Sequence, residues 1–226
     1  MILAAGRGER MRPLTDHTPK SMLQVGGKPL IFRHLEKLAN AGFRSVVINH
    51  AHLGEQIELA VGNGKRWNLA VRFSPEAQAL ETAGGIRNAL PLLQEEVFAV
   101  VNADVYSDYD YGRLAEAIRR MPAPTLAHLV LVDNPPHHPS GDFCVGGELV
   151  RAGHKGLLTF SGFGTYRASL FDPVALGSKH ALAPLLREQM ALGKVTGEHF
   201  RGEWDDVGTP QRLADLEMRL SRAPGH

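Results

Sequence analysis

Residues 3–20 read L-A-A-G-R-G-E-R-M-R-P-L-T-D-H-T-P-K, a run that sets glycines and cations at close intervals. Gly6 and Gly8 lack a Cβ, so the backbone can turn tightly there and lie against a ligand. Arg7, Arg10, Arg12 and Lys20 place four cations in the run, against Glu9 and Asp16. Free backbone N–H groups beside fixed cations suit the oxygens of a polyphosphate. The run lacks both the G-x-x-x-x-G-K-[ST] spacing of a P-loop and the third glycine of a dinucleotide turn. The expectation is a nucleoside triphosphate site of another design, with Leu3, Ala4, Gly6, Gly8, Glu9, Arg10 and Lys20 as its loop residues.

A second set of residues suits the same chemistry. Reaction at the α-phosphorus of a nucleotide needs a hard divalent cation, usually Mg²⁺, shared between a few carboxylates and substrate oxygens. Asn102 and Asp104 follow at once on the apolar run 97–101, and Asp206 stands in W-D-D-V-G-T-P ahead of a final amphipathic stretch. Asp104 and Asp206 are the candidate metal ligands. Taken singly, Asp104 reads equally well as a turn residue, with Asp110 or Thr209 as the true helix caps. Beside the first loop, the metal reading prevails.

The elements that must position these groups follow from apolar periodicity. Pro29 opens a helix to Asn40, with Ile31, Leu35 and Leu38 on one face. Strands are expected at 45–49, 70–73, 97–101, 127–132, 142–150 and 156–166. Helices are expected at 54–61, 85–93 (despite Pro91) and 181–192. Leu114, Ile118 and Met121 mark one further helix face, and Leu213, Leu216 and Leu220 mark the last. Such alternation predicts an α/β fold, a Rossmann-like mixed and mostly parallel sheet with helices on both faces. Ligands of such sheets bind beyond the carboxyl ends of the strands. Asn102 and Asp104 are placed there.

Composition narrows the class. Residues 1–226 suit one α/β domain, and 43% hydrophobic content supports a full core. A net charge of +1 argues against bulk attraction to nucleic acid. Cys144 is the only cysteine, which excludes an internal disulfide and a thiolate cluster. No apolar run has membrane-spanning length, and no signal sequence is apparent. The expectation is a cytoplasmic monomer that does not act on a membrane.

The long motif of residues 3–20, including R-P-L and P-K, closely resembles the signature of the sugar-1-phosphate nucleotidyltransferases. That family joins a sugar phosphate to a nucleoside monophosphate and releases pyrophosphate. V-N-A-D at 101–104 is similar to the family's segment bearing the aspartate for catalytic magnesium, and D-V-G-T at 206–209 matches its second metal-binding aspartate. P-E-A-Q-A-L-E-T-A-G-G-I at 75–86 resembles its nucleobase loop. The resemblance implies that Glu76 and Gly84 line the base and that Lys20 stabilises the triphosphate. Residues 47–58, 128–143, 158–162 and 197–209 resemble the short uridylyl-transferring members. This implies UTP and a sugar 1-phosphate as substrates, with Asp142, Gly162 and Asp206 toward the sugar.

Some residues depart from the family pattern. Ser21 replaces a frequent proline, and Ala83 and Ala103 stand at frequent glycine positions, where a positive φ would strain them. No E-K-P motif is present, and Lys155 reads as a turn lysine. The first strand is short beside those of relatives. His137 and His138 read as loop histidines near the sugar, His50 and His52 as mainly structural, and Trp67 and Trp204 as packing residues. Other acceptors remain open: glucose, N-acetylglucosamine or mannose 1-phosphate, or phosphocholine. A binding module that had lost catalysis would be expected to lose Arg10, Lys20, Asp104 or Asp206, and all four are present.

Overall fold

The computed structural model of the protein describes residues 1–222. In chain order its elements are β1 (Ile2–Leu3), β2 (Gln24–Val25), β3 (Lys28–Pro29), α1 (Leu30–Asn40), β4 (Ser45–His50), α2 (Gly54–Val61) and β5 (Ala70–Pro75). There follow α3 (Glu81–Leu93), β6 (Val97–Asn102), β7 (Val105–Ser107), α4 (Gly112–Arg120), β8 (Ala127–Val132), β9 (Cys144–Gly146), β10 (Leu149–Arg151) and β11 (Thr159–Arg167). The chain closes with α5 (Leu182–Ala191), β12 (Val195–Phe200), β13 (Trp204–Asp206) and α6 (Pro210–Arg222).

One nine-stranded sheet runs β5-β4-β1-β6-β11-β8-β12-β10-β9. The β-branched runs of β4 and β6 flank β1 in parallel, with Ile2 opposite Ile48 on one side and Val101 on the other. These three side chains are fully buried, which contributes about 1.5–3 kcal/mol each. β11 then enters antiparallel between β6 and β8, and only β8 with β12 restores a parallel pair. Parallel pairing therefore dominates the N-terminal half alone, and the sheet is mixed.

Helices cover both faces. Ile31, Leu35 and Leu38 of α1, with Ile57 of α2 and Leu114 of α4, pack on one. Ile86 and Ala89 of α3, with Leu185 and Leu186 of α5, pack on the other. α6 lies apart, where Leu216 and Leu220 close over Met11, Val25 and Leu30. This contact ties the last helix to the chain just after the glycine-arginine loop.

Three expectations need correction. The strand expected at 142–150 is two strands, β9 and β10, folded back so that Leu149 faces Gly146. The two-residue turn is Gly147-Glu148, with Gly147 at φ +65°, the left-handed geometry that a tight hairpin needs. The strand expected from 156 begins at Thr159, because Gly156 sits in a turn at φ +63°. The helix expected at 85–93 begins at Glu81, so Gly84 and Gly85 are helical residues. Ala83 N–H and Gly84 N–H both donate to the His180 carbonyl, at 3.0 and 3.1 Å. A Cβ on Gly84 would sit 2.3 Å from the Ser178 carbonyl oxygen, so the glycine serves close packing of helix on loop.

Candidate active site

The carboxyl ends of β1, β4 and β6 open into a cleft, and residues 4–8 turn across it. Ala4 N–H donates to Asn49 Oδ1 at 2.9 Å. Asn49 Nδ2 donates in turn to Glu76 Oε1 at 2.7 Å, and Glu76 Oε2 accepts the Leu80 N–H at 2.8 Å. This buried relay fixes the start of the loop to the segment leading into α3. Gly8 adopts φ +71°, and a Cβ there would lie 3.0 Å from Thr15 Cγ2. Its carbonyl accepts from Thr15 Oγ1 at 2.9 Å and from Met11 N–H at 2.8 Å, so glycine and threonine together set the turn. A Cβ on Gly6 would meet nothing within 4 Å; its bare backbone faces the cleft.

Two connected spaces share Asn102 and Asp104. The first, about 210 Å³, is walled by Leu3, Ala4, Gly6, Lys20, Asn49 and Thr82. The second, about 310 Å³, is walled by Arg10, His137, His138, Trp204 and Asp206. Arg10 thus belongs with the second space. Lys20, 12% exposed, is ion-paired with Asp104 Oδ2 at the junction. Asp206 Oδ1 accepts from Arg212 Nη1 at 2.6 Å and lies 2.8 Å from His137 Nε2.

Asp104 and Asp206 are brought together by a two-stranded ladder, in which β13 pairs antiparallel with β7 and Asp206 stands opposite Val105. Val207 N–H donates to the Asp104 carbonyl at 2.8 Å. Asp110 Oδ1 accepts the N–H of Gly112, the first residue of α4, at 2.8 Å, and Thr209 caps α6, its Oγ1 accepting the Arg212 N–H at 3.3 Å. Asp104 caps no helix and faces the cleft. Among the described residues no group of three His, Cys, Asp or Glu forms a metal cage. Two carboxylates beside a phosphate-sized space instead fit a divalent cation that completes its shell with substrate oxygens.

Other expected residues stand off the cleft walls. Glu9 is exposed and paired with Arg7 at 2.8 Å. Glu76 is buried in the relay, and Gly84 faces the 178–180 segment. Asp142 accepts the Phe160 N–H through Oδ2 at 2.8 Å and lies 3.1 Å from His138 Nε2 through Oδ1, so it shapes the wall from behind. Gly162, at φ +83° in the bulge of β11, admits Asn102, whose Nδ2 would be 2.7 Å from any Cβ there. Lys155 is exposed in a turn, Trp67 packs edge-on to Phe32, and Ala83 and Ala103 avoid positive φ. On the cleft wall it is Glu81 that adopts a positive φ, of 60°.

Further residues at the site carry only weak sequence signals. Asn49 is a buried polar residue near the end of a largely apolar strand, which is unfavourable without partners. Trp204 packs and also lines the cleft, its Nε1 donating to the Ser161 carbonyl at 2.9 Å. His52 braces the loop, 3.0 Å from Arg7 Nη1 and 3.1 Å from the Thr15 carbonyl. Beneath the cleft, His34 Nδ1 meets Tyr111 Oη at 2.6 Å. Burial pushes the His34 pKa down to about 4, helped by the Lys37 cation and opposed by the Asp104 carboxylate.

Residues 1–143 match the nucleotidyl transferase family. Over 222 residues the chain is 52% identical to the N-acetylmuramate alpha-1-phosphate uridylyltransferase of Neisseria meningitidis serogroup B, covering 96% of each chain. It is 32% identical to the protein of the same description from Caulobacter vibrioides, covering 99% of this chain and 97% of that one. Among solved structures, a UDP-glucose pyrophosphorylase complexed with UDP-glucose superposes with TM-score 0.79 at 17% identity, covering 98% of this chain and 97% of that one. HddC from Yersinia pseudotuberculosis gives 0.78 at 21% identity, covering 97% of both. These two share the fold.

Proposed function

The chain belongs to the nucleotidyl transferase family, and from that premise we propose that it transfers uridylyl from UTP to N-acetylmuramate α-1-phosphate. The products are UDP-N-acetylmuramate and pyrophosphate, a step suited to the cytoplasmic recycling of peptidoglycan sugars. The observation that carries the reading is the 52% identity along nearly the whole of both chains. The shared cleft supports it, with one space for a nucleotide and a second for a sugar phosphate meeting at Asp104.

An oxygen of the sugar phosphate attacks the α-phosphorus of UTP, and the bond to the β-phosphate oxygen breaks, releasing pyrophosphate. The nucleophile is already anionic, so no strong general base is required. The protein's part is alignment and charge neutralisation. Bound Mg²⁺ would be held by Asp104, Asp206 and phosphate oxygens, and would offset the charge gathering on them. The Gly6 backbone lets the triphosphate approach the loop. Lys20 stands at the junction, placed to exchange its carboxylate partner for a phosphate. Arg10 directs positive charge into the sugar-phosphate space, and Asn102 lines both spaces.

The experiment is pyrophosphate release from UTP and Mg²⁺ with N-acetylmuramate α-1-phosphate, run beside N-acetylglucosamine 1-phosphate. Release with the muramate sugar alone is expected. Release with the other sugar alone would keep the reaction and overturn the acceptor.

A further inference from the structure

Asp206 is not a free carboxylate. Arg212, in the first turn of α6, reaches back to bond Oδ1 at 2.6 Å, and His137 Nε2 lies 2.8 Å from the same oxygen and against Arg212 Nη1. Both contacts fall on Oδ1, which leaves Oδ2 for another partner. The Arg212 side chain is only 17% exposed. Its path passes over Gly208, where a Cβ would sit 1.9 Å from Nη2. A Cβ at Gly208 would therefore push the guanidinium aside.

We propose that Arg212 is a positioning residue: it clamps Asp206 and His137 into one unit and so joins the metal-side carboxylate to the loop that walls the sugar space. The inference rests on the reading of the cleft given above. Three separate parts of the chain meet here: the 133–143 loop, β13 and α6. A single guanidinium nitrogen, Nη1, reaches both Asp206 and His137, and the planar group behind it holds that nitrogen in place. Its charge also opposes a divalent cation at Asp206. The clamp therefore lowers metal affinity in the nucleotide-free protein while it orders the acceptor side.

That opposition separates the clamp from a plain structural role. Arg212→Met is expected to raise the KM for the sugar 1-phosphate about tenfold or more, with the KM for UTP held within about twofold. In the nucleotide-free protein, Mn²⁺ followed by electron paramagnetic resonance should bind as tightly or more tightly. Arg212→Lys, which keeps the charge, should leave Mn²⁺ binding as in the wild type and raise the sugar KM less. Gly208→Ala, which keeps Arg212 but crowds it, should reproduce the sugar effect. An unchanged sugar KM in Arg212→Met refutes the clamp, and so does joint weakening of Mn²⁺, UTP and sugar. Wild-type protein that turns over neither sugar would refute the proposed reaction instead. The Mn²⁺ titrations of Arg212→Met and Arg212→Lys then decide the clamp alone, and weaker binding in the methionine variant overturns it.

Discussion

Replacing Asn49 by alanine tests whether the relay beneath the nucleotide space holds the loop. Asn49 is 2% exposed and makes two side-chain hydrogen bonds, one from Ala4 N–H and one to the Glu76 carboxylate. The first is a neutral bond of about 1 kcal/mol, and the second, to a charged group, is worth about 1.5–3 kcal/mol. Their loss strands a backbone N–H and removes one partner of a buried carboxylate. A destabilisation of about 3 kcal/mol follows, or a fall in Tm of about 6–12 °C for a chain of this size. Urea unfolding of the two proteins measures it directly. Because Ala4 carries the loop into the cleft, the KM for UTP should rise more than that for the sugar phosphate. Asn49→Asp should be worse at neutral pH, since it sets a second carboxylate against Glu76, and should partly recover as the pH falls. A loss below about 1 kcal/mol in Asn49→Ala, with an unchanged KM for UTP, would refute the relay.

The other expectations concern the turn, the junction and the buried histidine. Gly8→Ala forces a Cβ toward Thr15 at a positive φ and should cost about 1–3 kcal/mol by thermal unfolding, with a raised KM for UTP. Asp104→Ala should lower kcat by about a thousandfold or more while the far-ultraviolet circular dichroism stays native; near-normal turnover would remove Asp104 from the mechanism. His34 has a folded pKa of about 4, below its ordinary 6.5, so protonation favours the unfolded chain. Its contribution is complete above pH 6.5 and is lost as the pH falls toward 4, about 3 kcal/mol in all. Denaturant titrations across that window should show the slope in the wild type and a shallower one in His34→Gln.

The sequence made the site's two ends legible for different reasons. The loop announces itself through residue types that have little other use together, and β4 and β6 through unbroken apolar runs. Asp104 was readable because it follows an apolar run, and Asp206 because it stands just ahead of the last amphipathic stretch. The ladder that joins them, β7 with β13, has three residues on each side and leaves no periodic signal of its own. At Gly84 the sequence is ambiguous, because a glycine needed for close packing has the same letter as one needed for a bend. Only the Ser178 carbonyl, far along the chain, tells them apart. Asn49 and Arg212 were hidden likewise: each acts through partners dozens of positions away or folded back across a turn.

That short ladder has a consequence for how the enzyme could diversify. Asp104 and Asp206 are a hundred positions apart, yet their spacing is set by main-chain pairing from Val105 to Asp206. Between them lie the histidine loop, the β9–β10 hairpin and the bulge of β11, of which the first and last line the second space. The hairpin can be rewritten or lengthened without moving the two carboxylates, provided the three-residue ladder still closes, whereas the histidine loop is tied to Asp206 through His137 and Arg212. Variation is thereby confined to the segments that the ladder and these contacts leave free.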